Sequence, residues 1–410
     1  MPVNASKALL VSLDGLGDRP IRELKGKTPL EAARKPNLDR LAKEGITGLM
    51  NTVGAGVRPG SDTSHLSMLG YDPKEYYTGR GPIEAAGVGI KIQAGDVALR
   101  GNFGTVDENT VIKDRRAGRI LDVSELCKAL DGMEIRGVKF VVKAGTGHRA
   151  AVVMRGKGLS SKVSEADPHV AGARAENVRA LDSSAEARFT AEVLNEFTEK
   201  SRALLEAHAL NRRRVAEGKL PANFLLLRGA GVVPKLPSFE EKWGLKAAGI
   251  AGGGLYKGVI RLLGMDLIEV KGATGLPDTD VKAKFAAARE ALKSHDFVFV
   301  HVKATDVFGE DGNWKGKKEF IEKVDKGLAE VMGLKGVFIA VTADHSTACC
   351  FKAHTADPVP LVIRGEGVRV DDVKSYGERP CSHGGLGRIT GLQLMPTLVD
   401  LMGKAKLYGA

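Results

Sequence analysis

Apolar runs rich in β-branched residues recur along the chain, and most of them end at a polar residue of a chemically useful type. Four such runs are residues 8–14 (ALLVSLD), 223–228 (NFLLLR), 297–306 (FVFVHVKATD) and 337–345 (VFIAVTADH). Near-continuous hydrophobic runs of this length are typical of strands buried on both faces, as in a parallel sheet covered by helices. The pattern therefore predicts buried strands with Asp, His or Arg at their carboxyl ends.

Helical patterns lie between these runs. Residues 36–45 (PNLDRLAKEG) place proline in a first turn and glycine just past the end, and residues 317–332 (KKEFIEKVDKGLAEVM) place apolar residues at helical spacing. Alternation of strands and helices predicts an α/β fold with a mostly parallel sheet flanked by helices. Ligands of such folds bind beyond the carboxyl ends of the strands, so we expect the polar residues that end the runs to meet in one crevice.

One region breaks this alternation. Between residues 96 and 175, short alternating runs are separated by Gly, Asp and Asn turn signals, which indicates antiparallel hairpins. We predict a smaller α+β domain at 96–175, inserted into a discontinuous core domain formed by 1–95 and 176–410. A chain of 410 residues is long for one simple domain, which agrees with this division.

Composition narrows the class of protein. The chain is 43% hydrophobic and 27% charged, as in ordinary globular proteins that bury a large core. No window approaches the ~20 apolar residues that a membrane span needs, and the N-terminal stretch lacks the features of a signal peptide. The four cysteines show no C-x-x-C spacing, which disfavours a zinc finger and favours a reducing compartment. We therefore predict a soluble cytoplasmic protein with no membrane partner.

The formal net charge of +11 raises the question of a nucleic-acid partner. Basic residues are interleaved with Glu and Asp through predicted helices, and the one dense run, residues 212–214 (RRR), lies near the end of a helical pattern, where cations suit the helix dipole. We interpret this run as a solvated helix face and predict no nucleic-acid partner. The remaining positive charge fits a small anionic substrate.

Three aspartates at the ends of predicted strands, Asp14, Asp306 and Asp344, form the first candidate site. Each alone is explained as a turn or helix-capping residue. Together, and joined by His345 and His354, they indicate a divalent metal, because converging carboxylates without counter-ions repel one another and raise their pKa values. A mixed set of oxygen and imidazole ligands suits Mn²⁺, Zn²⁺ or a related ion.

A glycine-rich loop and the serine after it form the second candidate site. Residues 54–73 (GAGVRPGSDTSHLSMLGYDP) make a tight loop that leads into a predicted helix at Ser61. Ser61 is either a helix N-cap or a hydroxyl nucleophile that lies at a positive helix terminus and is activated by a metal ion. The two interpretations are compatible, since one loop can serve both.

Motifs along nearly the whole chain resemble the archaeal-type, cofactor-independent phosphoglycerate mutases of the alkaline phosphatase superfamily. The motifs are LDGLGD, RPGSDTSHLSMLGYDP, RGPIEAAG, GNFGTV with DRRAGR, KATDVFGEDGN, and TADHST with HTADPVP. The resemblance implies an alkaline phosphatase-like core and interconversion of 3-phosphoglycerate and 2-phosphoglycerate through a phosphoserine, without 2,3-bisphosphoglycerate, in glycolysis and gluconeogenesis. The alternatives are a metal-dependent phosphatase or phosphodiesterase on the same core, and a basic binding protein with a decayed site.

The resemblance also implies two divalent metal ions, for which Mn²⁺ is the expected ion and Mg²⁺, Co²⁺ or Zn²⁺ are alternatives. One site is similar to the set Asp14, Ser61, Asp344 and His345. The other is similar to Asp306, His354 and the residue four positions after Asp306. That residue is Glu310, where many relatives carry histidine. Glutamate is a competent ligand for such ions, and the neighbouring Asp311 is the alternative.

The inserted domain is implied to hold glycerate while the phosphoryl group is on the enzyme. Asp114 and Arg115 are the first choices for catalytic residues there, by similarity to an Asp-Arg pair in the bacterial-type enzymes. Further substrate contacts there are assigned to Arg119, His148 and Arg149, whereas Arg228 and Lys257 are assigned to the core domain as contacts to phosphate. Guanidinium groups suit a carboxylate, and a hairpin turn with solvated arginines is the alternative explanation for any one of them. Residues 252–254 (GGG) before Lys257 also fit a plain turn.

The glycine-rich residues 384–391 (GGLGRITG) follow no clean strand and lack a suitably placed acidic residue, which disfavours a dinucleotide site. We interpret them as a loop near the active site, at the start of a C-terminal helix at 394–403 (LMPTLVDLMG). The preceding Ser382 and His383 are left without a role. The sequence also leaves self-association into a homo-oligomer open.

Overall fold

The computed structural model describes residues 7–233, 235–407 and 409. Its strands are β1 (Lys7–Leu13), β2 (Ile46–Asn51), β3 (Val97–Val106), β4 (Ile112–Asp114), β5 (Glu134–Ile135), β6 (Val138–Ala144), β7 (Arg149–Arg155), β8 (Phe224–Val232), β9 (Ala247–Ile250), β10 (Asp266–Leu267), β11 (Phe297–Val302), β12 (Val337–Thr342), β13 (Ser346–Ala348), β14 (Ala353–Thr355), β15 (Val359–Arg364) and β16 (Gly387–Thr390).

The helices include one short 3-10 helix, Arg22–Leu24. The α-helices are α1 (Pro29–Ala32), α2 (Pro36–Lys43), α3 (Ser61–Met68), α4 (Pro73–Tyr76), α5 (Arg80–Gly87), α6 (Ser124–Leu130), α7 (Ala185–Ala207), α8 (Ala209–Ala216), α9 (Phe239–Trp243), α10 (Gly254–Leu262), α11 (Val281–Ala291), α12 (Ala304–Glu310), α13 (Trp314–Leu328), α14 (Glu378–Cys381) and α15 (Gly391–Leu401). Within the described part of the chain, no helix combines the length and apolar character that crossing a bilayer requires.

The chain divides into two compact units, one formed by residues 1–77 and 236–410 and the other by residues 78–235. The first unit contains an eight-stranded sheet in the order β10-β9-β11-β1-β12-β15-β2-β16. Among these strands only β15 runs antiparallel to both of its neighbours. The prediction of an α/β fold with a mostly parallel sheet is therefore confirmed.

Strand β1 lies at the centre of this sheet, parallel to β11 on one side and to β12 on the other. Residues 8–13 of β1 and all of β11 are buried, as expected for strands covered on both faces by helices. The predicted helices are also present, since α2 begins at Pro36 and α13 covers most of the second helical pattern. Because the three strands are parallel and adjacent, their carboxyl ends open at the same edge of the sheet.

The second unit contains an antiparallel sheet in the order β4-β3-β7-β6-β5, with β8 paired to β3. The assignment of residues 223–228 to a core strand of the parallel sheet is wrong, because they lie in β8, which pairs with β3. Both a parallel sheet and this sheet bury such an apolar run, so its composition does not specify a partner strand. The predicted inserted domain, 96–175, covers only the central part of this unit, because α5 before it and α7 to β8 after it pack on the same sheet.

The C-terminal glycine-rich segment also differs from its prediction as a loop. Residues 387–390 form β16, an edge strand parallel to β2. The segment's prediction as the start of a C-terminal helix holds, since α15 begins at Gly391.

Candidate active site

Three buried aspartates meet at the carboxyl ends of the central strands. Asp14 directly follows β1, Asp344 follows β12 and Asp306 lies in the first turn of α12 after β11. All three are fully buried. The structure therefore brings together the carboxylates that the apolar runs placed at their ends.

The first cluster of ligand atoms combines Asp14, Asp344 and His345, within 4.8 Å of one another. His345 Nε2 lies 3.2 Å from Asp344 Oδ2 and 3.4 Å from Asp14 Oδ1. Ser61 Oγ lies 3.1 Å from the same nitrogen. These four residues are the set expected for one site.

The second cluster combines Asp306, His354 and, again, His345. His354 Nε2 lies 3.5 Å from Asp306 Oδ1, and the two imidazole rings stack with centroids 3.6 Å apart. His345 was expected in the first site alone, whereas the structure places it in both. Neither Glu310 nor Asp311 belongs to a cluster among the described residues, and their role as ligands remains a prediction.

The donor atoms of these clusters fit a divalent cation. Asp344 Oδ2 is buried and has no hydrogen-bond partner among the described residues. Burial lowers the pKa of His345, which keeps its imidazole neutral and able to bind a metal. Burial opposes ionisation of Asp14, but Lys303, His301 and His345 outweigh it and hold the pKa of this carboxyl well below its usual range. A cation here would thus meet the ionised carboxylate of Asp14 and the neutral imidazole of His345.

Gly15, next to Asp14, is required by the packing of the site. Its φ is +61°, and a Cβ atom there would lie 2.8 Å from Asp306 Oδ1. Its N–H donates to Asp344 Oδ1 at 3.0 Å. The Asp-Gly pair therefore turns the chain after β1 and positions two of the carboxylates.

Ser61 is the first residue of α3, and Gly60 occupies the N-cap position. The N-cap interpretation of Ser61 therefore does not hold, and its hydroxyl faces His345. The buried His65, one turn later, places Nδ1 2.6 Å from the Ser61 carbonyl oxygen and Nε2 3.3 Å from Ser12 Oγ. His65 thus connects the start of α3 to β1.

Several residues at this site were missed by the sequence analysis. Lys303 Nζ lies 3.3 Å from Asp14 Oδ1 and also pairs with Asp306. His301 Nε2 lies 3.0 Å from Asp14 Oδ2, which also accepts a hydrogen bond from the Tyr256 hydroxyl. Two of them could have been predicted from the sequence, because His301 and Lys303 are polar residues within the apolar run that ends at Asp306. No feature of the sequence around Tyr256 indicated its position at the site.

The second unit contains a group of arginines. Arg115 donates two hydrogen bonds to the buried Asp167, Nε to Oδ1 at 3.1 Å and Nη2 to Oδ2 at 2.7 Å. Arg228 Nη1 lies 3.9 Å from Asp167 Oδ2 and 3.1 Å from His169 Nδ1. Arg228 was expected in the core domain, but β8 places it here.

Positive charge dominates around His148. Burial and, to a smaller extent, the positive charges of Arg149, Arg116, Arg100 and Arg228 together lower the pKa of His148 to about 4. Asp167, His169 and Arg100 were all missed by the sequence analysis, although Arg100 is a charged residue within an apolar strand pattern. The position of Arg100 in the sequence could therefore have been used to predict it as a site residue.

The remaining predicted substrate contacts, Asp114, Arg119 and Lys257, have local partners or face solvent. Asp114 Oδ1 accepts a hydrogen bond from the Arg116 backbone at 2.6 Å, and Arg119 is exposed with a φ of 57°. In the first unit, Lys257 Nζ pairs with the exposed Glu269 at 2.7 Å. None of these three belongs to the metal-ligand clusters among the described residues.

Comparisons with known proteins show which family the chain resembles. A family model described as "2,3-bisphosphoglycerate-independent phosphoglycerate mutase" matches residues 42–211. A curated protein with that name, numbered 1, from Archaeoglobus fulgidus is 53% identical over 98% of this chain and 99% of its own. Another from Methanocaldococcus jannaschii is 50% identical over 98% of this chain and 99% of its own.

Solved structures show the same similarity. The cofactor-independent phosphoglycerate mutase from Thermoplasma acidophilum matches with a TM-score of 0.73 and 41% identity, over 97% of this chain and 100% of that one. A protein from Pyrococcus horikoshii matches with a TM-score of 0.86 and 41% identity, over 98% of this chain and 99% of that one. The likeness extends over both compact units.

Proposed function

The chain belongs to the family of 2,3-bisphosphoglycerate-independent phosphoglycerate mutases, and we propose that Ser61 carries the phosphoryl group while two clusters of carboxylates and imidazoles hold divalent metal ions. As a member of this family the protein is an isomerase that interconverts 3-phosphoglycerate and 2-phosphoglycerate. The assignment of individual residues to steps of this reaction is the proposal.

The observation that carries the proposal is the position of the Ser61 hydroxyl. Its oxygen lies 3.1 Å from Nε2 of His345, the residue that both clusters share. It also lies at the N-terminus of α3, where backbone N–H groups and the helix dipole favour negative charge. A hydroxyl in this position is suited to act as a nucleophile toward phosphorus.

We assign one ion to Asp14, Asp344, His345 and Ser61, and the other to Asp306, His354 and Glu310, with His345 close to both. Bound divalent ions lower the pKa of a serine hydroxyl and offset negative charge on a transferring phosphoryl group. Carboxylate and imidazole ligands together favour Mn²⁺, with Mg²⁺, Co²⁺ or Zn²⁺ as alternatives.

The reaction then proceeds in two transfers that mirror each other. The deprotonated Ser61 oxygen bonds to phosphorus as the bond to oxygen 3 of glycerate breaks, and oxygen 3 takes up a proton. The hydroxyl on carbon 2 next loses its proton and bonds to phosphorus, which releases Ser61. The ammonium group of Lys303, beside Asp14 and Asp306, is placed to stabilise negative charge near the clusters.

Retention of glycerate distinguishes this enzyme from a phosphatase, and we assign it to the arginine-bearing unit. Asp114, Arg115, Arg119, His148, Arg149 and Arg228 are the proposed contacts there, and Lys257 is a proposed phosphate contact in the first unit. Arg115 is pre-oriented by its two bonds to Asp167, which leaves Nη1 for a substrate carboxylate. We also propose a cytoplasmic location, since the four cysteines are free, as is usual in reducing compartments.

The direct test measures two products at once. Purified enzyme with Mn²⁺ is incubated with 3-phosphoglycerate, and 2-phosphoglycerate is followed by coupling to enolase while free phosphate is measured separately. We expect 2-phosphoglycerate to form far faster than phosphate, without added 2,3-bisphosphoglycerate. Dominant release of phosphate would favour the phosphatase alternative instead.

Replacing Glu310 tests the second metal site. We expect Glu310→Gln to weaken binding of one of the two Mn²⁺ ions by about 10- to 100-fold, because it removes a charged oxygen ligand. Glu310→His should restore binding and shift preference toward Zn²⁺ or Co²⁺. Isothermal titration of the metal-depleted enzyme measures both effects. Asp311→Gln is the matched control, and weaker binding in it but not in Glu310→Gln would assign the ligand to Asp311.

Replacing Arg115 tests retention of glycerate. Arg115→Ala should raise the ratio of phosphate to 2-phosphoglycerate by about tenfold or more, because a lost charge-assisted contact frees glycerate before the second transfer. Formation of phosphoserine should change less. The control is Arg136→Ala, an exposed arginine of the same unit paired with Glu192 and Glu196. An unchanged product ratio in Arg115→Ala would remove this residue from the glycerate site.

A further inference from the structure

Strand β3 carries two buried polar side chains, each with one atom that has no hydrogen-bond partner among the described residues. Arg100 is 8% exposed and Asn102 is 4% exposed. Arg100 Nε and Asn102 Oδ1 are buried, and neither has a hydrogen-bond partner among the described residues. Native proteins keep few buried polar atoms unpaired, because each one lowers stability. Two of them on one strand therefore indicate a partner that the protein chain itself does not supply.

The two side chains lie on the same face of the sheet. Residues two apart along a strand point the same way, and the alternate residues Leu99 and Phe103 on β3 belong to the apolar core. Across the strand, Arg228 on β8 is opposite Arg100, and Arg149 on β7 is opposite Asn102. Directly opposed residues share a face, so this face of the sheet carries three arginines and one amide.

The pairing of β3 with β8 has a break in register beside Arg100. Between the pairs Ala98–Gly231 and Arg100–Arg228, β8 contains one residue more than β3, and such bulges are common beside binding sites. Glu84 is the carboxylate paired with Arg100, at 3.7 Å from Nη1, which is longer than a hydrogen bond. The guanidinium thus has a charge partner but keeps Nε free of protein acceptors among the described residues.

The electrostatics of this face favour an anion. The pKa of Arg100 is lowered to about 9, chiefly by burial; Glu84 opposes the shift, whereas the positive charges of Arg80 and Arg228 contribute to it. A bound carboxylate would offset this repulsion and accept a hydrogen bond from Nε, in the charge-assisted geometry that guanidinium groups form with carboxylates.

We infer that Arg100 and Asn102 recognise the 2-hydroxy acid end of 3-phosphoglycerate, Arg100 Nε donating to the carboxylate and Asn102 Oδ1 accepting from the hydroxyl on carbon 2. This inference rests on the proposed function. The unpaired atoms are one donor and one acceptor, and a 2-hydroxy acid offers an acceptor and a donor on adjacent carbons. Sulfate or another fully ionised anion would satisfy Arg100 but leave Asn102 Oδ1 unpaired.

The spacing along β3 suits such a ligand. Two residues on one face of a strand are about 7 Å apart. Two hydrogen bonds of about 2.9 Å, one from each side chain, leave room between them for two neighbouring functional groups. Asn102 therefore acts as a specificity-determining residue, and Arg100 as an additional carboxylate contact.

The test combines ligands that lack the hydroxyl or the carboxylate with protein variants that lack the Asn102 or Arg100 side chain. Binding is measured by calorimetry in a Ser61→Ala background with Mn²⁺, so that no turnover occurs. The ligands are 3-phosphoglycerate, 3-(phosphonooxy)propanoate, which lacks the hydroxyl, and sn-glycerol 3-phosphate, which lacks the carboxylate. With Arg100 and Asn102 intact, we expect each analogue to bind about tenfold or more weakly than 3-phosphoglycerate, because a buried polar group is left unpaired.

In Asn102→Leu, loss of the hydroxyl should no longer matter, whereas loss of the carboxylate should still cost about tenfold. In Arg100→Met, loss of the carboxylate should no longer matter, whereas loss of the hydroxyl should still cost about tenfold. Asn102→Leu should melt no lower than its parent, because it removes an unpaired buried acceptor without leaving a cavity. Asn102→Ser, which keeps an oxygen acceptor, should retain part of the discrimination and serves if the leucine variant folds poorly. Arg136→Met is the matched control and should behave like its parent.

Undiminished discrimination against 3-(phosphonooxy)propanoate in Asn102→Leu would overturn the inference. The enzyme with Ser61 intact is assayed in parallel for formation of 2-phosphoglycerate. If it forms none, the proposed function fails; if it forms 2-phosphoglycerate while Asn102→Leu still discriminates, the proposed function stands and only the role of Asn102 is lost.

Discussion

Ser61→Ala is expected to lower mutase turnover by about 10⁴-fold or more, as for loss of other hydroxyl nucleophiles. The fold should stay intact and both ions should stay bound, because Asp14, Asp344 and His345 remain as ligands of the first ion. The hydroxyl lies beside His345, the residue that both ligand clusters share. Because Gly60 is the N-cap, the substitution removes no capping hydrogen bond, and alanine is a good helix former in the first turn of α3. The free energy of unfolding should therefore change by less than about 1 kcal/mol.

Ser64→Ala is the matched control in the same helix. Ser64 Oγ is buried 3.2 Å from Thr52 Oγ1, so its loss should cost about 1 kcal/mol of stability but leave turnover within a few-fold of the unsubstituted enzyme. Enolase-coupled rates and rapid-quench mass spectrometry measure turnover and the phosphoserine. Substantial residual turnover in Ser61→Ala, or a phosphoryl group on another residue, would show that Ser61 is not the nucleophile.

The parallel sheet was predictable because its central strands have a simple composition. Residues 8–13 and β11 are buried on both faces, and continuous apolar runs mark such strands without reference to the rest of the chain. The same signal failed for β8, since an apolar run reports burial and not the identity of the neighbouring strand. The bounds of the second unit were underestimated for a related reason: α7 packs on its sheet although it follows the hairpin region in sequence.

The candidate site was predictable where side chains end a strand. Asp14 directly follows β1 and Asp344 lies two residues after β12, so the parallel pairing of the two strands brings them together. That His345 belongs to both clusters was not predictable, because it depends on the tertiary placement of Asp306 and His354 beside it. Tyr256 was not predictable either, since it reaches Asp14 from α10 through tertiary packing.

Charged residues within apolar runs could also have been used to predict site residues from the sequence. Lys303 and Arg100 are charged residues in apolar patterns, and both lie close to the carboxylates or arginines of the candidate sites. Burial of a charge without a partner is costly, so a charged residue inside a predicted buried strand indicates either a partner or a ligand.

His345 is expected to be the most damaging of the metal-ligand positions. His345→Ala should release both ions and lower turnover by more than about 10³-fold, because each ion contributes several kcal/mol of charge stabilisation. The reason is geometric: Nε2 lies 3.2 Å from Asp344 Oδ2 and 3.4 Å from Asp14 Oδ1, and His345 also belongs to the cluster around Asp306. Metal content after dialysis, measured by mass spectrometry, and the coupled rate test this expectation.

His354→Ala is the matched comparison, since the two imidazoles stack on each other and each substitution removes the same ring contact. His354 belongs only to the cluster around Asp306 among the described residues, so its loss should release one ion and leave the other bound. The two variants thus separate the metal content from the packing of the rings. Loss of one ion from each variant would assign His345 to a single site, and two retained ions in His345→Ala would remove it from both.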